Sequence, residues 1–158
     1  MRRALSVLLA VTGLAVTACG PLAQDGPDLT ARQLAGIHQV AQDAATRSGV
    51  ACALGGLDTG GLPTAPLGAL FLQLDRNGEI TREQEQALLI EIARDLWNSD
   101  LADTTLSFSF KGGGPTLGGA LGTPDSFVSS TELKVAFGPQ PPVSTPRPAF
   151  TDPGNPDC

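Results

Sequence analysis

Two segments of this chain carry apolar residues at helical spacing, and stretches of alternating apolar and polar residues follow each. In "LTARQLAGIHQVAQDAATRSG", which starts at Leu29, residues Leu34, Ile37, Ala41 and Ala44 fall on one helix face. In "ITREQEQALLIEIARDLWNSD", which starts at Ile80, Leu89, Ile92, Ala93 and Leu96 do the same, with Trp97 beside them. Each segment opens on an aliphatic residue, a threonine and a glutamine three positions on: Thr30 with Gln33, and Thr81 with Gln84. That spacing predicts a capping box, in which the hydroxyl accepts from an early backbone N–H and the glutamine reaches back to the cap.

The alternating stretches come in pairs. "VACALGGL" (50–57) and "ALFLQLD" (69–75) follow the first helix; "TTLSFSFK" (104–111) and "SSTELKVAF" (129–137) follow the second. Leu106, Phe108 and Phe110 alternate with Thr105, Ser107 and Ser109, and Leu133, Val135 and Phe137 alternate with Lys134 and Ala136. Alternation of this kind marks a strand with one wet face. The order helix–strand–strand therefore reads twice. It predicts an α+β two-layer sandwich: a four-stranded, mainly antiparallel sheet with two helices on one face, built as a helix–strand–strand duplication. The Gly-rich connections 55–68 and 111–127 lack the G-x-x-x-x-G-K-[ST] spacing of a phosphate loop and read as long mobile connections.

The N-terminus has a different pattern. Arg2 and Arg3 precede an apolar run from Ala4 to Val16, broken only by Ser6, Thr12 and Gly13. The run is too short to cross roughly 30 Å of hydrocarbon as a helix. A basic head, a short apolar core and small residues at its end describe a secretory signal. Val16-Thr17-Ala18-Cys19 resembles the lipobox of bacterial lipoproteins: an aliphatic residue, two small residues and a cysteine. The resemblance covers residues 1–19 only. It implies that diacylglycerol is attached to Cys19 and that the chain is cut just before it. Two or three acyl chains, at roughly 0.8 kcal/mol per buried methylene, hold a soluble domain firmly to a bilayer. The implied place is the cell membrane, with the domain on its extracytoplasmic side.

The chain then divides into a signal peptide (1–18), a lipidated tether (19–28), an α+β domain (29–137) and a tail (138–158) with seven prolines and no periodic apolar pattern. Residues 19–158 hold eight basic and sixteen acidic side chains, for a formal charge of −8. An acidic domain is repelled by phosphate backbones, so nucleic acid is not an expected partner. Export places the remaining cysteines, Cys52 and Cys158, in an oxidising space where disulfides persist. A bond between them would tie the last residue to the first strand. Two free thiols or an intermolecular pairing are the alternatives that spacing leaves open.

Candidate chemistry changes this picture little. "QLDRNGEITREQ" (73–84) resembles an EF-hand loop around Gly78, but Gln73 and Gln84 stand at the first and twelfth positions, where carboxylates are needed. A strand end at Asp75, an Asn77-Gly78 turn and a cap at Thr81 explain the same residues. His38, the one histidine, borders the apolar stripe of the first helix and has no cluster of ligands around it in sequence. No G-x-S-x-G is present, and the carboxylates Glu83 and Glu91, or Asp95 and Asp100, read as a solvated helix face. No cofactor, metal site or catalytic residue is therefore expected. The expected function is a membrane-anchored, non-enzymatic module that binds an envelope protein or a wall component. A carrier of a lipid or small apolar ligand and a cell-wall hydrolase are the alternatives.

Overall fold

The computed structural model describes residues 27–58, 68–99, 101, 104–142 and 151–158. The signal peptide, Cys19, nearly all of the tether and most of the 55–68 connection lie outside them. The described elements run α1 (Pro27–Ala45), β1 (Val50–Leu57), β2 (Leu70–Arg76), α2 (Arg82–Trp97), β3 (Leu106–Phe110), α3 (Leu117–Leu121) and α4 (Ser130–Phe137).

The two helical stripes are buried where the periodicity places them. Ile37, Ala41 and Ala44 of α1 and Leu89, Ile92, Ala93 and Leu96 of α2 all enter one core. Thr81 caps α2 as expected, with Gln84 completing the capping box. The matching box at Thr30 does not form, because α1 begins at Pro27 and Thr30 lies inside it. Proline suits a first helical turn, since the N–H it lacks would have no partner there.

The sheet corrects the expected fold. Among the described residues it has three strands in the order β1-β2-β3, not four, and it is mixed. β1 pairs antiparallel with β2, as a hairpin-like neighbour does, whereas β2 pairs parallel with β3. The cause is the connection: a strand that returns through a whole helix, here α2, can lie parallel to the one before it. The fourth strand is replaced by α4. Ser129 accepts from the Glu132 backbone N–H while the Glu132 carboxylate takes the Ser129 backbone N–H, a capping box that starts a helix at Ser130. Leu133 then faces the core and Phe137, one turn on, packs against it, while Val135 stands 84% exposed. An i, i+4 pair, not an i, i+2 alternation, is what those apolar residues form. The helix–strand–strand duplication falls with the fourth strand. The 111–127 connection is not a plain loop either: it folds α3 around a fully buried Leu117.

The described helices that meet the sheet lie on one side. Leu70, Leu72 and Leu74 of β2 and Leu106, Phe108 and Phe110 of β3 point to that side and are buried. α1 approaches so closely that a Cβ on Gly55 of β1 would stand 2.6 Å from the Ile37 carbonyl oxygen. Arg47, in the turn after α1, fastens the two long helices to each other: its guanidinium donates to Glu91 at 2.5 Å and to Asp95 at 2.6 Å, both on α2. These two carboxylates stand on a solvated face, 65% and 61% exposed, and share Arg47 as a partner there. The sequence-expected partner of Asp95, Asp100, lies outside the described residues.

Candidate functional site

The opposite side of the sheet has no described helix over it. The pairing register puts Leu54 beside Gln73 and Gly56 beside Phe71, and in turn Phe71 beside Ser107 and Gln73 beside Ser109. Directly paired residues share a face, so these side chains form one surface. Phe71 is 41% exposed and Leu54 38%, the only large apolar side chains besides Val135 that are so open among the described residues. Gly56 lets the Phe71 ring lie flat across β1: an added Cβ there would meet the ring at 2.2 Å. The surface thus offers an aromatic and an aliphatic group, an amide and two hydroxyls. Nothing in the alternation of "LFLQLD" and "LSFSF" separates such a face from an ordinary wet one. The signal is the phenylalanine at a position where the period calls for a polar residue.

At the end of the covered side, beside α2, Arg76 gathers the chain. Its Nε meets the Glu85 carboxylate, its Nη1 donates to the Lys111 carbonyl at 2.7 Å and its Nη2 to the Gly113 carbonyl at 2.5 Å. The guanidinium also lies over the Phe110 ring, 5.0 Å from its centre. Glu85 is buried, so its charge needs this partner. Lys111 reaches Asp75 at 3.0 Å. The stretch that resembles an EF-hand loop is thereby spent on structure: Asp75 pairs with a lysine, Thr81 and Gln84 form a helix cap, and Gln73 lies on the sheet face. Among the described residues no three His, Cys, Asp or Glu side chains are grouped to hold a metal ion.

The second feature is the C-terminal segment, residues 151–158, which lies against α1 and the outer edge of β1. His38 Nδ1 and the Asp152 carboxylate are 2.7 Å apart. Gln42 donates to the Gly154 carbonyl at 3.3 Å. Asn155 Oδ1 accepts from the Gly55 N–H at 2.6 Å, and Asn155 Nδ2 donates to the Gly55 carbonyl at 3.0 Å. Cys158 comes to disulfide distance of Cys52, with the Cα atoms 5.7 Å apart, within the range such a bond allows. The sequence picked out the two cysteines but not His38, Asp152 or Asn155 as their companions. His38 is half-buried, and it docks the tail.

Asp152 is held below its ordinary carboxyl value of 3.8, first by the Gly154 backbone N–H and then by the bond to His38. A carboxylate with a depressed folded value adds stability above its unfolded value, and that stability is lost as pH falls through the folded one. The contact is therefore expected to be intact at neutral pH and to open only in acid. Carbon NMR of the Asp152 carboxyl should give a midpoint below 3.8 that returns to the ordinary value in His38→Ala/Gly154→Pro. A midpoint at or above 3.8 in the unaltered chain would contradict it.

Two clefts open between described residues. One, of about 520 Å³, is lined by Arg76, Gly78, Glu79, Ile80 and Thr81 at the β2–α2 turn. The other, of about 200 Å³, lies between Leu121, Thr123, Thr131, Glu132, Val135 and Ala136. An apolar carrier calls for a largely apolar cavity of roughly 300 Å³ or more. The larger cleft carries two charged side chains at a turn, and the smaller falls short of that volume. No described helix is long and apolar enough to cross a membrane. No protein-family model, no curated protein and no solved structure matches the chain.

Proposed function

We propose that this chain is a lipid-anchored envelope protein. Cys19 carries the lipid, and the α+β domain outside the membrane binds an envelope protein or a wall component through the open face of its sheet. The anchor rests on the lipobox-like Val16-Thr17-Ala18-Cys19. The binding role rests on one observation: Phe71 and Leu54 remain exposed on a sheet face that also presents Gln73, Ser107 and Ser109. Burying an exposed aromatic ring among polar groups that can pair across an interface is how binding surfaces gain both affinity and orientation. No covalent step is needed for such a role, and the domain acts by contact.

A photo-reactive phenylalanine analogue at position 71 tests the binding role in cells that carry the anchored chain. Illumination is expected to yield an adduct of raised mass, which a muramidase collapses toward the mass of the chain when the partner is the wall and leaves unchanged when the partner is a protein. The same probe at Arg82, exposed on the first turn of α2, is expected to yield none. Absence of any adduct from position 71, or equal adducts from both positions, would contradict the reading.

A further inference from the structure

Among the described residues the outer edge of β1 has no neighbouring strand, because the sheet order places β2 on its other side. Such an edge is a template for pairing with another chain, and proteins blunt it with charges, prolines, bulges or a covering segment. β1, "VACALGGL", has no charge and no proline along its length. Its one irregularity lies at the Val50–Cys52 end. Cover comes from residues 151–158. Asn155 does there what a paired strand would do: its side-chain amide exchanges two hydrogen bonds with the N–H and the carbonyl of Gly55. Cys158 stands over the next outward group, with Sγ 4.0 Å from the Ala53 carbonyl. At Gly55 and Ala53 the tail takes the place of a fourth strand.

We propose that the C-terminal segment is a removable edge guard, and that the β1 edge it covers is a pairing surface for β1 of a second copy of this chain. The register is dictated by the groups the guard occupies. Ala53 and Gly55 turn their hydrogen-bonding groups outward, whereas Leu54 between them turns its own toward β2. Two β1 strands placed antiparallel about Leu54 set Ala53 of one copy opposite Gly55 of the other, where both backbone bonds can be exchanged. Leu54 then meets Leu54 in the narrow pair, and its exposed side chain gains cover on the open face. The contact is self-complementary about a two-fold axis, as the commonest dimers are. No charge on β1 opposes it. A peptide of unrelated sequence would gain the backbone bonds but not the Leu54 contact, so the second copy is the better fit.

The test uses the chain from residue 20 to 158 in three forms: unaltered; with Cys52→Ser, Cys158→Ser and Asn155→Ala together; and with Leu54→Lys added to those three. Removal of both thiols excludes cross-linking through sulfur. Sedimentation of the unaltered chain should give a monomer. The guard variant should sediment with doubled mass at near-millimolar concentration, and Leu54→Lys should return it to a monomer by setting two like charges directly opposite each other. A guard variant that keeps its cooperative melt and stays monomeric would overturn the proposal, as would a dimer that ignores Leu54→Lys. Should the guard variant fail to melt cooperatively, Asn155→Ala alone carries the same expectation in a reducing buffer that opens any Cys52–Cys158 bond. Its monomeric state at that concentration, or a dimer insensitive to Leu54→Lys, would equally overturn it.

Discussion

Cys19→Ala is expected to move the protein from the membrane fraction to the soluble fraction and to stop its normal processing. The expectation follows from the proposed anchor. A single acyl chain binds a bilayer only marginally, and stable attachment takes two or more, so the loss of the one residue that bears them leaves no hold. The apolar run from Ala4 to Val16 is no substitute, because it is too short to span roughly 30 Å of hydrocarbon. The charge of −8 on residues 19–158 adds repulsion from anionic lipid headgroups. Fractionation with and without high salt reads the effect. A variant that is processed and sediments with membranes like the parent would contradict the anchor.

Phe108→Ala is expected to have the largest effect on stability. Phe108 sits at the centre of β3, paired with Leu72 of β2, and is fully buried beneath the helices. Truncating a buried phenylalanine costs about 3–5 kcal/mol, since the cavity it leaves is only partly refilled. Domains of this size hold only about 5–15 kcal/mol in all. The melting temperature should fall by more than about 12 °C, taking at least 4 °C per kcal/mol. Ser107→Ala, one residue away but on the open face, should change stability by less than about 0.5 kcal/mol. Equal effects at the two positions would mean that the sheet does not divide into a covered and an open face as described.

The sequence shows most of this division. Leu106, Phe108 and Phe110 alternate with serines because a sheet has two sides, and Ile37 and Leu89 recur at helical spacing because a helix has one buried face. Those periods are local, so they can be read along the chain. Residues 129–137 mislead for the same reason. Leu133, Val135 and Phe137 fit a period of two, but Leu133 and Phe137 also fit a helical turn, and only the Ser129–Glu132 cap decides between them. That cap was legible, as the spacing S-x-x-E before an apolar residue. The direction of β3 was not, because a parallel neighbour depends on how α2 carries the chain back across the sheet.

The tail was legible at its last residue alone. Cys158 and Cys52 stand out as the two cysteines that follow Cys19. Asp152 and Asn155 find His38 and Gly55 more than 95 residues away, by contacts that have no periodic trace. The open face lies between these cases. Phe71 interrupts a polar set, and that interruption is visible, but its neighbours Ser107 and Gly56 come from other strands. What they bind was not legible, because binding depends on a partner that the chain does not encode.

The most direct measurement is the mass of the N-terminal peptide of the protein extracted from membranes. The account predicts a chain that begins at Cys19 and carries a diacylglyceryl group on its sulfur. A chain that begins at any other residue, or a Cys19 that carries no lipid, would contradict it.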